Sequence, residues 1–225
     1  MNRMTGLSLL FVVAMLVLLP LLFGRLMAAS LVKLHLSPAA ALNLTIAIFL
    51  GGLINIPIKR IARDQEVATH PFTIFGLSDT WPNLKRARPY TVIAVNLGGC
   101  VIPTGIAVYE LFHLAAQGLH LLLITAAVAA VNIVVCYRLA RPVPGVGIMM
   151  PGLVPALIAA LLALLLAPDQ AAPVAFVAGI AGPLIGADLL HLKDIEKSAI
   201  GIASIGGAGT FDGIVLSGIV AAYLA

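Results

Sequence analysis

Charge is what this chain has least of. Only 10% of its 225 residues are Asp, Glu, Lys or Arg, against 61% apolar residues, and the mean hydropathy is +1.12. A soluble domain carries about a quarter charged residues, so this balance excludes one. Long uncharged runs recur from end to end, as in a polytopic membrane protein. Cysteine is nearly absent too. Cys100 and Cys136 both fall inside apolar runs, so no disulfide framework is implied. The chain contains no Gly-x-Ser-x-Gly, P-loop, Cys-x-x-Cys or His-Glu-x-x-His. Their absence disfavours serine-hydrolase, nucleotide-driven, thiol-redox and zincin chemistry. No internal repeat suggests inverted halves, which weakens a secondary-transporter reading.

What is there predicts an all-α bundle of about seven membrane helices, one integral membrane domain over residues 1–225. The expected spans are 7–23, 38–58, 90–112, 119–137, 153–166, 173–192 and 209–224. The first is longer than a signal-peptide core and reads as a retained helix. Ser37-Pro38 is a good N-cap and first-turn pair for the second. Residues 59–89 form the one sizeable polar stretch, a cytoplasmic flap with a short hairpin expected at 73–77 and the single tryptophan, Trp81. It is too short to fold alone. Seven spans put eleven of the thirteen basic residues on one side and leave Arg25 and Lys33 on the other. The positive-inside rule then predicts a cell-membrane protein with a cytoplasmic N-terminus and an external C-terminus. The net charge of +4 reflects that orientation and contact with membrane lipids, not nucleic-acid binding.

Two aspartates stand inside apolar, glycine-rich segments: Asp188 in Gly186-Ala187-Asp188-Leu189-Leu190, and Asp212 in Gly206-Gly207-Ala208-Gly209-Thr210-Phe211-Asp212-Gly213. A carboxylate at membrane depth is expensive unless paired, neutralised or hydrated, and so marks a functional site by default. In the topology above, both lie at similar depth on consecutive antiparallel helices, at the cytoplasmic end. Two carboxyls that share a proton can act as base toward water and acid toward a leaving group. Gly186, Gly207, Gly209 and Gly213 allow close backbone approach. The plainer alternative is that the aspartates cap helices, which fits Asp212 better than Asp188.

The segment from Gly207 to Ile219 resembles the second catalytic segment of the GxGD intramembrane aspartyl proteases, the presenilin and signal-peptide-peptidase group. That resemblance implies Asp188 and Asp212 as catalytic residues and a transmembrane peptide as substrate. The chain departs from the pattern. Thr210 and Phe211 separate Gly209 from Asp212, Ala187 rather than a tyrosine precedes Asp188, and no Pro-Ala-Leu follows Asp212. A larger part of the chain resembles a prokaryotic family of polytopic membrane proteins of unknown function. This likeness rests on Gly51-Gly52-Leu53-Ile54-Asn55-Ile56-Pro57, Val95-Asn96-Leu97-Gly98-Gly99-Cys100-Val101-Ile102-Pro103, Arg141-Pro142-Val143-Pro144-Gly145-Val146-Gly147-Ile148 and the two Asp segments. It implies no activity.

Other residues carry weaker signals. Pro142 and Pro144 break any helix there, so an extended or re-entrant segment is expected, as substrate edge or as plain loop. Asn55 and Asn96 read as polar glue between helices, with lining of the aspartate site second. His191 follows Asp188 by three residues and shares its helix face, as a partner for that carboxyl or as an interfacial residue. Glu110, His113, His120 and Asp169 read as a wetted external loop. No metal and no cofactor is indicated. The rival to the hydrolase is a proton-coupled transporter or channel for a small solute, using the same aspartates.

Overall fold

A computed structural model describes residues 3–62, 90–143, 147–194 and 201–225. It is a helical bundle. The helices are α1 (Arg3–Val32), α2 (Pro38–Gly51), α3 (Ile102–Gln117), α4 (Leu119–Leu139), α5 (Leu153–Leu166), α6 (Ala171–Ala181) and α7 (Gly213–Leu224). Two π-helical segments extend them: Leu97–Val101 leads into α3, and Gly182–Leu189 continues α6. With those extensions, Leu97–Gln117, Leu119–Leu139 and Pro168–Leu189 are long and apolar enough to cross a membrane. Proline explains where the wide turns fall. Pro103 and Pro183 lack the N–H that an α-helix needs, and the backbone next to each rewinds around the gap.

Helix α6 is the axis, with every residue from Ala171 to Ile180 buried. It packs against α4, α5 and α7, and α1 closes over α7 and α2. Lipid is as apolar as leucine, so small residues that let backbones approach must hold such a bundle. They do so here. Ala156, Ala159, Ala160 and Ala163 of α5 are all buried, at helical spacing. A Cβ on Gly179 of α6 would lie 2.9 Å from the Cα of Gly218 of α7. Phe176, Ile180, Ile214, Val215 and Ile219 fill the core between them, with Met27 and Leu31 from α1.

The expected helix boundaries hold for 119–137, 153–166 and, with the π-helical extension of α6, 173–192. The first helix runs past residue 23 to Val32, and the last begins at Gly213 rather than residue 209, so Asp212 precedes it instead of lying one turn inside. Two spans fail more fully. The second span does not continue to residue 58. It stops at Gly51, and Asn55–Ala62 is strand β1. The third does not begin as helix at residue 90, because Tyr90–Asn96 is strand β2. β1 and β2 pair antiparallel, and β5 (Gly201–Ile205) adds parallel to β2, in the order β1-β2-β5. A bulge at Ile58 and a proline at position 57 interrupt β1. The Pro-rich segment is also extended, as a small hairpin of β3 (Arg141–Val143) and β4 (Gly147–Met149). Pro144 and the hairpin expected at 73–77 lie outside the described residues. The sheet, the β3–β4 hairpin and both aspartates occupy one end of the bundle, the end where Arg138, Arg141 and Lys193 also lie.

Candidate functional site

Three glycine pairs from distant parts of the chain meet beneath the aspartates: Gly51-Gly52 ending α2, Gly98-Gly99 in the π-turn before α3, and Gly206 with Gly209 before α7. A Cβ on Gly98 would collide with the Ile48 carbonyl and the Gly52 nitrogen, and one on Gly99 with the Gly206 carbonyl. A Cβ on Gly209 would come within 3.0 Å of the Gly52 Cα. Gly206 and Gly209 have φ of 71° and 62°, a left-handed backbone that favours glycine. The three segments therefore pack backbone against backbone.

Asn96 locks this junction. Fully buried, it accepts the Gly99 N–H at 2.7 Å through Oδ1 and donates through Nδ2 to the Gly52 carbonyl at 2.9 Å and to Asn55 Oδ1 at 3.1 Å. Ser204 of β5 donates to the same Asn55 oxygen at 2.6 Å. Asn55 and Asn96 thus do act as polar glue, but between strands, as directly opposed partners of β1 and β2. A short polar residue beside a glycine pair carries that signal in sequence. The partner, 41 residues away, does not.

Asp212 is the N-cap of α7. Its Oδ1 accepts the Ile214 N–H at 3.0 Å and its Oδ2 the Ala208 N–H at 3.3 Å. Both oxygens are thereby held toward the loop that carries Gly206 to Gly209. Asp188, in the π-helical end of α6, lies near the Gly206 N–H and within electrostatic reach of Asp212. Carboxyls from two separate elements thus adjoin one loop. Cys100, not singled out by sequence, lies within the field of both. Met150, just past the β3–β4 hairpin, touches the position a Gly213 Cβ would take, so the broken segment adjoins the site. Phe211 packs on Phe23 of α1, ring centroids 5.3 Å apart.

Other expected residues sit elsewhere. Gly186 faces α4, where a Cβ would strike the Ile133 carbonyl. His191 does share the end of α6 with Asp188. Its Nδ1 bonds the Gly186 and Ala187 carbonyls at 3.2 and 3.0 Å, and its ring stacks on Tyr137. It ties off carbonyls that the π-turn leaves free. Pro142 is exposed on β3, and Gly207 is exposed in the loop.

At the opposite end, Glu110 is not in a wetted loop. It is fully buried and paired with His35, which sequence reasoning passed over: Nδ1 lies 2.8 Å from Oε2, and the His35 N–H donates to Oε1 at 3.2 Å. His113 stacks on His35, with centroids 4.7 Å apart. Among the described residues, no three His, Cys, Asp or Glu side chains are grouped to hold a metal ion.

No curated protein and no solved structure matches the chain. A family model described as a protein of unknown function, DUF1614, matches residues 49–224. The match starts just before the Gly51-Gly52 pair and takes in the whole junction and both aspartates. The chain therefore belongs to the DUF1614 family.

Proposed function

We propose that the protein is an intramembrane hydrolase of aspartyl type, with Asp188 and Asp212 as the catalytic pair and a transmembrane peptide as substrate. The observation that supports it is the approach of both carboxyls to one glycine loop. Asp188 lies near the Gly206 N–H and Asp212 accepts the Ala208 N–H, so the two reach the loop from different elements. In this reading one carboxylate takes a proton from water as its oxygen adds to the peptide carbonyl carbon. The other carboxylic acid then protonates the amide nitrogen as the C–N bond breaks. β5 has β2 on one side and no strand on the other among the described residues, and it runs straight into the loop. An extended segment can add there through backbone hydrogen bonds. By the positive-inside rule, the basic residues at this end support a cytoplasmic position for the N-terminus and the site.

The test is cleavage of a reporter carrying one transmembrane segment, with purified protein in liposomes. Asp188→Asn and Asp212→Asn should each lower the rate by at least ~10³-fold, the scale on which loss of an acid–base group registers. The second reading, proton-coupled movement of a small solute, draws on the wide helix turns at Leu97–Val101 and Gly182–Leu189, since broken helices build transporter sites. It expects no cleavage by the wild type, and residual uncoupled flux when one aspartate is neutralised.

A further inference from the structure

We infer that Arg138, Arg141 and Lys193 form a binding site for the headgroup phosphate of an anionic phospholipid, built where the ends of α4 and α6 meet. The inference goes beyond the aspartate pair and holds whichever chemistry that pair performs. Leu119–Leu139 and Pro168–Leu189, of 21 and 22 residues, are the apolar spans that end here. Each rises about 32 Å, which matches the ~30 Å hydrocarbon core. Leu139 and Leu189 therefore mark one membrane–water boundary. Arg138 stands in the last turn of α4, Arg141 two residues past that helix, and Lys193 four residues past Leu189. All three are exposed. Among the described residues the one ion pair is His35 with Glu110, so none of these cations has a carboxylate partner there.

Backbone and ring contacts bring the cations together. A Cβ on Gly186 would strike the Ile133 carbonyl and lie 3.0 Å from the Tyr137 nitrogen, so the two helix ends touch backbone to backbone. At the tip the rings of Tyr137 and His191 stack, with centroids 4.8 Å apart. Arg138 follows Tyr137 directly and Lys193 lies two residues past His191, so the stack sets charges from two elements side by side. Asp194 stands next to Lys193, while Asp188 and Asp212 adjoin the glycine loop. Among the described residues, three cations against that single remaining carboxylate leave the tip positive. The surface below identifies the missing anion as a lipid. Leu123, Val131 and Val134 share one face of α4 that leads up to Arg138, and they are 61, 47 and 58% exposed. An acyl chain laid on that stripe brings its phosphate to the guanidinium groups. Arginine forks bond phosphate oxygens in pairs, and basic pockets between membrane helices hold anionic headgroups. Tyr137, exposed beside them, sits at the level where interfacial tyrosines collect.

Native mass spectrometry of the full chain in detergent tests this, with phosphatidylglycerol and phosphatidylcholine of the same acyl chains titrated in turn. The wild type should take its first phosphatidylglycerol at least ~10-fold more tightly than phosphatidylcholine. Arg138→Gln, Arg141→Gln and Lys193→Gln should each weaken that binding about fivefold, the scale of one cation at an anionic headgroup. The triple variant should bind the two lipids alike. Lys59→Gln combined with Arg60→Gln removes two exposed charges from β1 and should leave the preference in place. All these positions are exposed, and thermal unfolding in detergent checks that each variant is folded. No preference in the wild type overturns the inference. So does an equal loss in the β1 variant, which would make the binding a matter of diffuse surface charge. Millimolar glycerol phosphate should not displace the lipid, and displacement would reassign the cluster to a soluble phosphate.

Discussion

Replacing Asp212 by asparagine and by alanine separates capping from chemistry. Asparagine keeps an oxygen for the Ile214 N–H and caps as well as aspartate, whereas alanine removes the cap at about 1 kcal/mol. We expect Asp212→Asn to unfold at nearly the wild-type temperature and Asp212→Ala several degrees lower, with both inactive. Thermal unfolding in detergent beside the cleavage assay decides it, and an active asparagine variant would reduce Asp212 to a cap. His35 offers a parallel case at the other end. His35→Ala strands the Glu110 carboxylate in a fully buried position, and breaking such a pair destabilises by about 3 kcal/mol. Glu110→Gln keeps an acceptor for the His35 N–H and should cost distinctly less. Equal losses for the two variants would mean that packing, not pairing, holds this corner.

Elements in this protein are joined by what glycine leaves out. Gly98→Ala puts a methyl group into the Ile48 carbonyl and Gly52 nitrogen, which are backbone and have nowhere to go. It should prevent the junction from closing, seen as loss of monodisperse protein in detergent. Gly105→Ala, about two helix turns farther along in α3, meets nothing within 4 Å. There the gain in helix propensity should raise stability by about 0.5–1 kcal/mol. The same contrast shows what was legible beforehand. Residues 153–166 were readable to the residue, because an unbroken apolar run with Gly152 before it and Pro168 after it admits one reading. β1 and β2 were not. Runs such as Ile54-Asn55-Ile56-Pro57-Ile58 and Thr91-Val92-Ile93-Ala94-Val95 are apolar and β-branched, and next to a membrane helix they look like its continuation. Only the pairing of Asn55 with Asn96 distinguishes them, and pairing is not local. His35 was missed for the same reason, since its partner Glu110 lies 75 residues away. Both aspartates, by contrast, stand out from their apolar neighbours without any knowledge of partners.

At the scale of the molecule, the side of the membrane is the open quantity that charge predicts. A phosphatase that folds only outside the cytoplasm, fused after Ala225, should be active, and the same fusion inserted at residue 75 should be silent. The reverse pattern would place the site on the external face. The helical bundle and the shared end of the two aspartates were both readable from span lengths and basic residues. The sheet beside them was not, although it determines what the site can reach.

The parallel pairing of β2 with β5 has a consequence in time. Thr91 lies beside Gly201, so more than a hundred residues, including four helices, must be made and inserted before the third strand exists. Contacts this far apart in sequence form late, and the loop that both carboxyls adjoin comes directly after that strand. A nascent chain therefore carries Asp188 without its neighbour until the segment that follows β5 has been made, and helix insertion must precede assembly of the two carboxyls.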